Sequence, residues 1–187
     1  YYRLYCAVLL KNKNAAYTNF VLYSDNFGDT WDVLGGVDTA PIPSGGDEPK
    51  AEELPDGSVI ISSRTHGGRI YNIFSYTDSK KAEGSWGTAQ YSNASNNGTI
   101  AVNNSTNGEI LFVPAKRTAD DKKVYLAFQS VPLGSGRANV GIYYKELETL
   151  ADFVTPQAIA ADWDGRHQSS YLSGAYSTMC LQKDNNI

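Results

Sequence analysis

The sequence predicts an almost entirely β-sheet protein, on three observations. Short runs rich in β-branched and aromatic residues are broken by Gly, Asn and Asp. The 187 residues include 13 Tyr, 3 Trp and 17 Gly, a composition that favours short strands and tight turns over helices. A strand-and-turn unit also recurs along the chain. Since 41% of the residues are hydrophobic, the chain is long enough to bury a core.

The recurring unit is a strand, a polar turn, an aromatic residue and another strand. Its three copies run from Asn19 to Leu34, from Ile70 to Tyr91 and from Val140 to Ile159, with hairpins such as AEELPDGSVIISS between them. One unit therefore supplies about four short strands, which is the content of a propeller blade. The sequence predicts about three blades of a six-bladed β-propeller. Residues 1–187 would form one domain that is incomplete at both ends, because the chain begins and stops abruptly in strand-like runs.

The first copy contains the most specific turn. Residues 24–31, SDNFGDTW, resemble the Asp box, S-x-D-x-G-x-T-W, with Asn26 in place of the usual Asp. Asn keeps the side-chain acceptor that closes such a turn, and Gly28 can adopt a positive φ. Trp31 is expected to fill a gap between strands. This turn is structural and takes no direct part in chemistry.

The stretch DEPKAEELPDGSVIISSR predicts a hairpin with charges at its open end. Pro55 to Gly57 form the turn, so Ala51 to Leu54 and Ser58 to Ser63 should pair antiparallel. Glu48 stands eight residues before Asp56 and Arg64 eight residues after it. Pairing would bring both side chains to one rim.

Two later segments are predicted to reach the same rim. In SGAYSTMCLQKDNN, Tyr176 stands eight residues before a predicted turn at residues 184–186, so it is the positional analogue of Glu48. Val124–Ser130 should be an outgoing strand, and the loop VPLGSGRAN after it would carry Arg137. The preceding strand, in NGEILFVPAK, could pair in two registers. One face then gathers four residues: Glu48, Arg64, Arg137 and Tyr176.

These residue types suit a site for an anionic sugar. Two guanidinium groups can bind a carboxylate through charge-assisted hydrogen bonds. Their planar, forked geometry matches the two carboxylate oxygens, which the ammonium group of Lys does not. A phenol with a pKa near ~10 is a weak nucleophile unless a carboxylate takes its proton. Glu48 is the candidate base and Tyr176 the candidate nucleophile. A neutral Tyr would also avoid the repulsion between a carboxylate nucleophile and the carboxylate of the substrate.

Each of these residues also has a simpler structural interpretation. Glu48 could be a solvated charge, the two arginines could be surface ion-pair partners, and Tyr176 could be a packing residue. We assign three other arginines to that structural class: Arg69, Arg117 and Arg166. His66 and His167 lack the ligand spacing of a metal site, so we predict no metal and no cofactor.

Charge and hydropathy exclude other classes of function. A net charge of −4 and a pI near 5.1 argue against a nucleic-acid partner. No apolar run approaches the ~20 residues of a membrane helix. Cys6 and Cys180 lie in apolar, strand-like runs, which predicts buried thiols; a disulfide between distant strands is the alternative.

Taken together, these motifs resemble the C-terminal half of the catalytic domain of bacterial exo-α-sialidases of the retaining type. EPKAEELPDGSVIISSR resembles the hairpin from the family's Glu to its second Arg, SGRANVGIYY its third-Arg segment, and GAYSTM its nucleophile segment. The resemblance implies that Glu48 is the base partner and Tyr176 the nucleophile. It also implies that Arg64 and Arg137 belong to a triad of arginines that binds the carboxylate.

The family's first arginine and its acid/base aspartate have no counterpart here, since Arg3 in YYRLYC lacks the following Ile-Pro. The resemblance therefore implies that both precede residue 1, and that this chain needs the N-terminal half of the propeller for activity. The implied function is hydrolysis of terminal α-linked sialic acids from glycans or glycoproteins, by a secreted, periplasmic or cell-surface enzyme. A trans-sialidase, a non-catalytic sialic-acid-binding propeller and a purely structural propeller are the alternatives.

Overall fold

The computed structural model describes residues 2–11, 14 and 16–182. In this part of the chain the backbone is mostly β-structure, with one five-residue α-helix and four short 3₁₀ turns. The strands form three antiparallel sheets of three, five and four strands, in chain order. The described residues therefore confirm the prediction of a mainly β protein.

The first sheet contains three strands, and its first two form a long hairpin. The strands are β1 (Leu4–Lys11), β2 (Tyr17–Ser24) and β3 (Asp32–Val33). Leu4 lies opposite Ser24, and Lys11 lies opposite Tyr17. The central strand is β2, which pairs with both neighbours.

The Asp-box-like turn at residues 24–31 joins β2 to β3. Oδ1 of Asn26 accepts a 2.9 Å hydrogen bond from the backbone N–H of Thr30, so the amide closes the turn as predicted. Gly28 has a φ of +96°, which glycine adopts without steric strain. The indole of Trp31 donates to the Gly28 carbonyl at 3.0 Å but stays 42% exposed. Trp31 therefore packs across its own turn, and the expectation that it fills a gap between strands was wrong.

The second sheet contains five strands. They are β4 (Asp47–Glu53), β5 (Val59–Thr65), β6 (Gly68–Asp78), β7 (Glu83–Trp86) and β8 (Gln90–Ser92). Their order is β4-β5-β6-β7, and β8 also pairs with β6. The predicted hairpin is confirmed, because β4 and β5 pair antiparallel with Ala51 opposite Ile61 and the turn closes through a Gly57 N–H to Leu54 carbonyl bond.

The third sheet contains four strands. They are β9 (Ile110–Lys116), β10 (Lys123–Pro132), β11 (Val140–Leu147) and β12 (Gly165–Gln168), in the order β12-β11-β10-β9. The register that the sequence left open is fixed by pairing of Ile110 with Gln129 and of Lys116 with Lys123. The outgoing strand predicted at Val124–Ser130 lies within β10.

The third copy of the repeat departs from the prediction. After β11 and the buried Phe153, the chain forms a short helix, α1 (Pro156–Ala160), where the repeat predicts a strand. Thr155 caps this helix by accepting a hydrogen bond from the N–H of Ala158, and Pro156 occupies its first turn. Both features favour a helix start, so local capping overrides the strand pattern.

The core lies in two layers, one on each face of the second sheet. Val59 and Ile61 of β5 pack in a cluster with residues of the first sheet, including Val21. Ile60, between them in sequence, packs in a second cluster with residues of the third sheet, including Phe112. Successive side chains of a strand point to opposite faces, so this run of apolar residues is explained by a sheet that is covered on both sides.

The cysteine prediction was wrong in part. Cys6 and Cys180 are both free thiols, but both are exposed. On β1 the neighbouring Tyr5 packs against the core, so Cys6 points to the opposite face of the first sheet, where its thiol is exposed. Cys180 lies in a segment without strand structure.

Candidate functional site

Glu48 is placed by an irregularity at the start of β4. The pairing of β4 with β5 shifts register between Asp47 and Pro49, so Glu48 has no cross-strand partner, and its φ is +20°. Such a bulge turns a side chain away from the regular direction of its strand. The backbone N–H of Glu48 donates to Oδ1 of Asp47 at 2.9 Å, which helps to hold this unusual conformation.

Arg64 lies near the end of β5 and makes three side-chain hydrogen bonds. Its Nη1 donates to Oε2 of Glu48 at 2.6 Å and to the Tyr176 hydroxyl at 3.4 Å. Its Nε donates to Oγ of Ser105 at 2.8 Å. Within the described part of the chain, Nη2 of Arg64 makes no hydrogen bond.

Tyr176 lies in a segment without secondary structure and has a φ of +61°. Its hydroxyl donates to Oε1 of Glu48 at 3.1 Å, and 55% of the residue is exposed. The next residue, Ser177, donates from its hydroxyl to Oγ of Ser130 at 2.7 Å. A left-handed conformation is unusual for tyrosine, and the hydrogen bonds of Gly174 and Ser177 hold the backbone around it in place.

The Tyr176 segment is fixed further along by Thr178, whose hydroxyl donates to Oε2 of Glu109 at 3.0 Å. The same carboxylate oxygen lies 3.2 Å from Nζ of Lys50. Glu109 is largely buried, so the Lys50 ammonium and the hydroxyl together satisfy a carboxylate that would otherwise be costly to bury.

Arg137 closes a 3₁₀ turn at Ser135–Arg137 and has a φ of +63°. Its guanidinium carbon lies 5.8 Å from the centre of the Tyr176 ring, within the range of a cation–π contact. Its carbonyl accepts a 3.0 Å hydrogen bond from the N–H of Gly174, two residues before Tyr176. The loop of Arg137 and the loop of Tyr176 are therefore tied together by their backbones.

The structure thus brings together all four residues that the sequence singles out. Glu48 is the common acceptor, because one carboxylate oxygen bonds Arg64 and the other bonds Tyr176. Burial of Arg64 disfavours its charge, but hydrogen bonds to Glu48 and Tyr176 outweigh this effect and raise the guanidinium pKa above its ordinary value. Arg64 remains protonated at any physiological pH and balances the Glu48 carboxylate.

The register argument for Tyr176 was wrong, although Tyr176 lies beside Glu48. The described residues after β12, which end at residue 182, contain no strand, so Tyr176 is not a strand residue in register with Glu48. The turn predicted at residues 184–186 lies outside the described residues. Tyr176 reaches Glu48 through the loop contacts of Gly174 and Ser177.

Sequence reasoning missed a fully buried arginine beside the site. Arg69 lies opposite Arg64 in the β5–β6 pairing and has no exposed surface. Its surroundings are those of a structural residue but not of a surface ion-pair partner: its guanidinium donates to Oγ and the carbonyl of Ser62 and to the carbonyls of Thr106 and Gly108. Burial lowers the pKa of Arg69 to about 10. The short turn between β5 and β6 gave the signal, since it places the two arginines side by side.

The other two arginines of that class are exposed or paired at the surface. Arg117 bonds Asp120, Glu146 and Glu148, and Arg166 is exposed on β12. Arg3 forms a two-pronged ion pair with Asp25 and contacts Tyr76, so its surroundings are those of a structural residue.

Comparisons with known proteins leave the family open. No protein-family model matches the sequence, and no curated protein matches it. Among the described residues, no helix is long and apolar enough to cross a membrane, and no three potential metal ligands cluster. The interpretation of the site therefore rests on its motifs and its geometry.

Proposed function

We propose that this chain is part of an exo-α-sialidase that releases terminal α-linked sialic acids with retention of configuration. The observation that carries the proposal is the hydrogen bond from the Tyr176 hydroxyl to the Glu48 carboxylate, with two guanidinium groups beside it. A nucleophile within hydrogen-bond reach of a base, itself oriented by a third group, is the arrangement expected for covalent catalysis. Here Arg64 orients the base.

In the first step, Tyr176 attacks the anomeric carbon while its proton passes to Glu48. The bond to the leaving oxygen breaks as an aspartic acid, which the remainder of the enzyme would supply, protonates that oxygen, and a sialyl–tyrosine intermediate forms. Water then attacks the same carbon from the side that the leaving group vacated and loses a proton to this aspartate. The bond between the carbon and the Tyr176 oxygen breaks, and the phenol recovers its proton from Glu48. Tyr is the nucleophile of sialidases as a class, because a neutral phenol avoids repulsion by the carboxylate of the substrate.

The arginines supply the carboxylate site. Arg64 has Nη2 available, while its other nitrogens hold Glu48, Tyr176 and Ser105. Arg137 shares the Tyr176 ring face and makes one long side-chain bond, from Nη2 to the Ser105 carbonyl at 3.4 Å. A carboxylate between them would receive charge-assisted hydrogen bonds from both, which would fix the sugar for attack.

We further propose that the three sheets are blades of a six-bladed sialidase propeller. The hydrophobic layers on both faces of the second sheet support stacked blades. A remaining portion of the propeller would supply the first arginine of the triad and the aspartic acid that protonates the leaving oxygen. The substrate would be a sialylated glycan or glycoprotein met outside the bacterial cytoplasm.

A mechanism-based fluorosialyl inhibitor tests the function in the intact gene product that contains this chain. We expect it to label the peptide that carries Tyr176 and to stop hydrolysis of a fluorogenic sialoside in proportion to labelling. Labelling of another peptide would contradict the mechanism. Transfer of the sugar to an acceptor in place of water would indicate a trans-sialidase, and sialic acid binding without turnover would indicate a binding protein.

A further inference from the structure

One short segment connects three arginines at or beside the site. We define it as the 104–108 segment, which precedes β9. Oγ of Ser105 accepts a hydrogen bond from Nε of Arg64 at 2.8 Å. The carbonyl of the same serine accepts one from Nη2 of Arg137 at 3.4 Å. Ser105 therefore contacts both arginines that are proposed to bind the carboxylate.

Asn104 contacts the backbone of Arg137 and not its guanidinium. Its Oδ1 accepts a 2.9 Å hydrogen bond from the Arg137 N–H, and its Nδ2 donates to the carbonyls of Val102 and Gly134 at 2.9 and 2.7 Å. Asn104 is 5% exposed. A buried amide with both ends bonded fixes its partners firmly, and one of those partners is a left-handed arginine that needs such support.

Arg69, on β6, anchors the 104–108 segment. The buried guanidinium donates to the carbonyls of Thr106 and Gly108 at 2.9 and 3.2 Å. Like charges directly opposite each other on a sheet repel, and Arg64 and Arg69 are such a pair. Each is satisfied separately: Arg64 by Glu48 and Ser105, and Arg69 by Ser62 and the carbonyls of the 104–108 segment.

We propose that Ser105 and Asn104 are positioning residues that set the angle and spacing of Arg64 and Arg137 for one carboxylate. The hydrogen bond from Nε of Arg64 to Ser105 orients the guanidinium, and with it Nη2, which has no partner among the described residues. Asn104 fixes the backbone of the turn that carries the Arg137 side chain. This inference rests on the proposed function for the identity of the carboxylate as that of a sialic acid. The hydrogen bonds themselves do not depend on it.

The first test follows the arginine hydrogen bonds by NMR and needs no ligand. Exchange of the Arg64 Nε proton with water is expected to be slow in the wild type, faster by about tenfold in Ser105→Ala, and slow again in Ser105→Thr, which keeps the hydroxyl. The Arg137 amide proton should likewise exchange faster in Asn104→Ala and stay protected in Asn104→Asp, which keeps the acceptor oxygen. Unchanged exchange in the alanine variants would overturn the positioning role.

The second test compares the affinity for sialic acid with the affinity for its methyl ester. Ser105→Ala should weaken binding of the acid by about tenfold and leave binding of the ester unchanged, because only the acid uses the arginines as a charged pair. Ser95→Ala, at an exposed serine whose hydroxyl bonds Asn93, serves as the matched control and should change neither. Equal weakening of both ligands would mean that Ser105 supports the fold in general, and would overturn the proposal.

The two tests separate failure of the inference from failure of the proposed function. If the wild type binds no sialic acid, the proposed function is contradicted. The exchange measurements then decide by themselves whether Ser105 and Asn104 position the two arginines. If the wild type binds the acid and Ser105→Ala alters neither exchange nor affinity, the function stands and the positioning role falls.

Discussion

The hydroxyl of Tyr176 lies 3.1 Å from Oε1 of Glu48, although 128 positions separate the two residues in the chain. Such a contact between an exposed phenol and a carboxylate adds little to stability by itself, because water competes for both groups. Yet Tyr176 and Glu48 both have positive φ values, which cost conformational energy for residues other than glycine. This strained contact therefore supports the proposed roles of Tyr176 and Glu48, which the following variants test.

Tyr176→Phe removes the proposed nucleophile and keeps the ring. In the intact gene product, turnover of a fluorogenic sialoside should fall by orders of magnitude, while sialic acid still binds because the ring face toward Arg137 remains. Steady-state kinetics and calorimetry would measure the two effects. Tyr171→Phe, at an exposed tyrosine five positions away, is the control. Wild-type turnover in Tyr176→Phe would remove this residue from the mechanism.

Glu48→Gln keeps the shape of the side chain and removes its charge. Turnover should fall by about 10²–10⁴-fold, the usual contribution of a general base. The ion pair with Arg64 is lost in the same variant, so binding of sialic acid should be measured alongside. A loss of affinity with normal turnover of bound substrate would assign Glu48 to positioning of Arg64 and not to proton transfer.

The sequence predicted contacts correctly where a single turn determines the register of two strands. It did not predict contacts between loops from distant parts of the chain. Pro55 to Gly57 set the pairing of β4 with β5, so the shared rim of Glu48 and Arg64 followed from counting residues. Tyr176 reaches Glu48 through loop contacts between distant segments, which no periodicity encodes. The sequence also could not show the acceptors of Arg69, because they are mostly backbone carbonyls.

Helix capping explains another difference between expectation and structure. The third repeat copy carries a strand-like pattern, but Thr155 and Pro156 start a helix there. The closure of the Asp-box-like turn by Asn26 and the positive φ of Gly28 were predictable, because both are set by local sequence. The exposure of Cys6 was not, since it depends on whether the outer face of the first sheet is covered.

Asn26→Ala tests the closure of the Asp-box-like turn. The Asn26 side chain bonds the backbone N–H of Thr30 and its hydroxyl, both at 2.9 Å. Their loss should lower the free energy of unfolding by about 1 kcal/mol, measured by urea denaturation. Asn26→Asp restores the residue usual in this motif and keeps the acceptor, so it should cost less. If the two variants lose equal stability, the acceptor oxygen is not what closes the turn.

Arg69→Met tests how much the buried guanidinium stabilises the fold beside the candidate site. The carbonyls of Ser62, Thr106 and Gly108 would lose a donor, which should cost about 2–4 kcal/mol of unfolding free energy. Arg166→Met, at an exposed position on β12, is the matched control and should change stability by less than about 0.5 kcal/mol. A variant of Arg69 as stable as the control would show that these hydrogen bonds merely offset the burial of the charge.

Asp120→Asn tests the ion-pair network around Arg117 through its dependence on pH. Hydrogen bonding to Arg117 lowers the pKa of Asp120 from 3.8 to about 2, so the folded state favours the charged carboxylate. The stabilisation is therefore complete above pH 3.8 and is lost as the pH falls through about 2, where the folded protein also takes up the proton. Asparagine resembles the protonated acid, so the difference in unfolding free energy between wild type and variant should be largest near neutral pH and shrink toward pH 2. Urea denaturation at a series of pH values would measure it, and a difference that stays constant over this range would mean that Arg117 does not stabilise the charged form of Asp120.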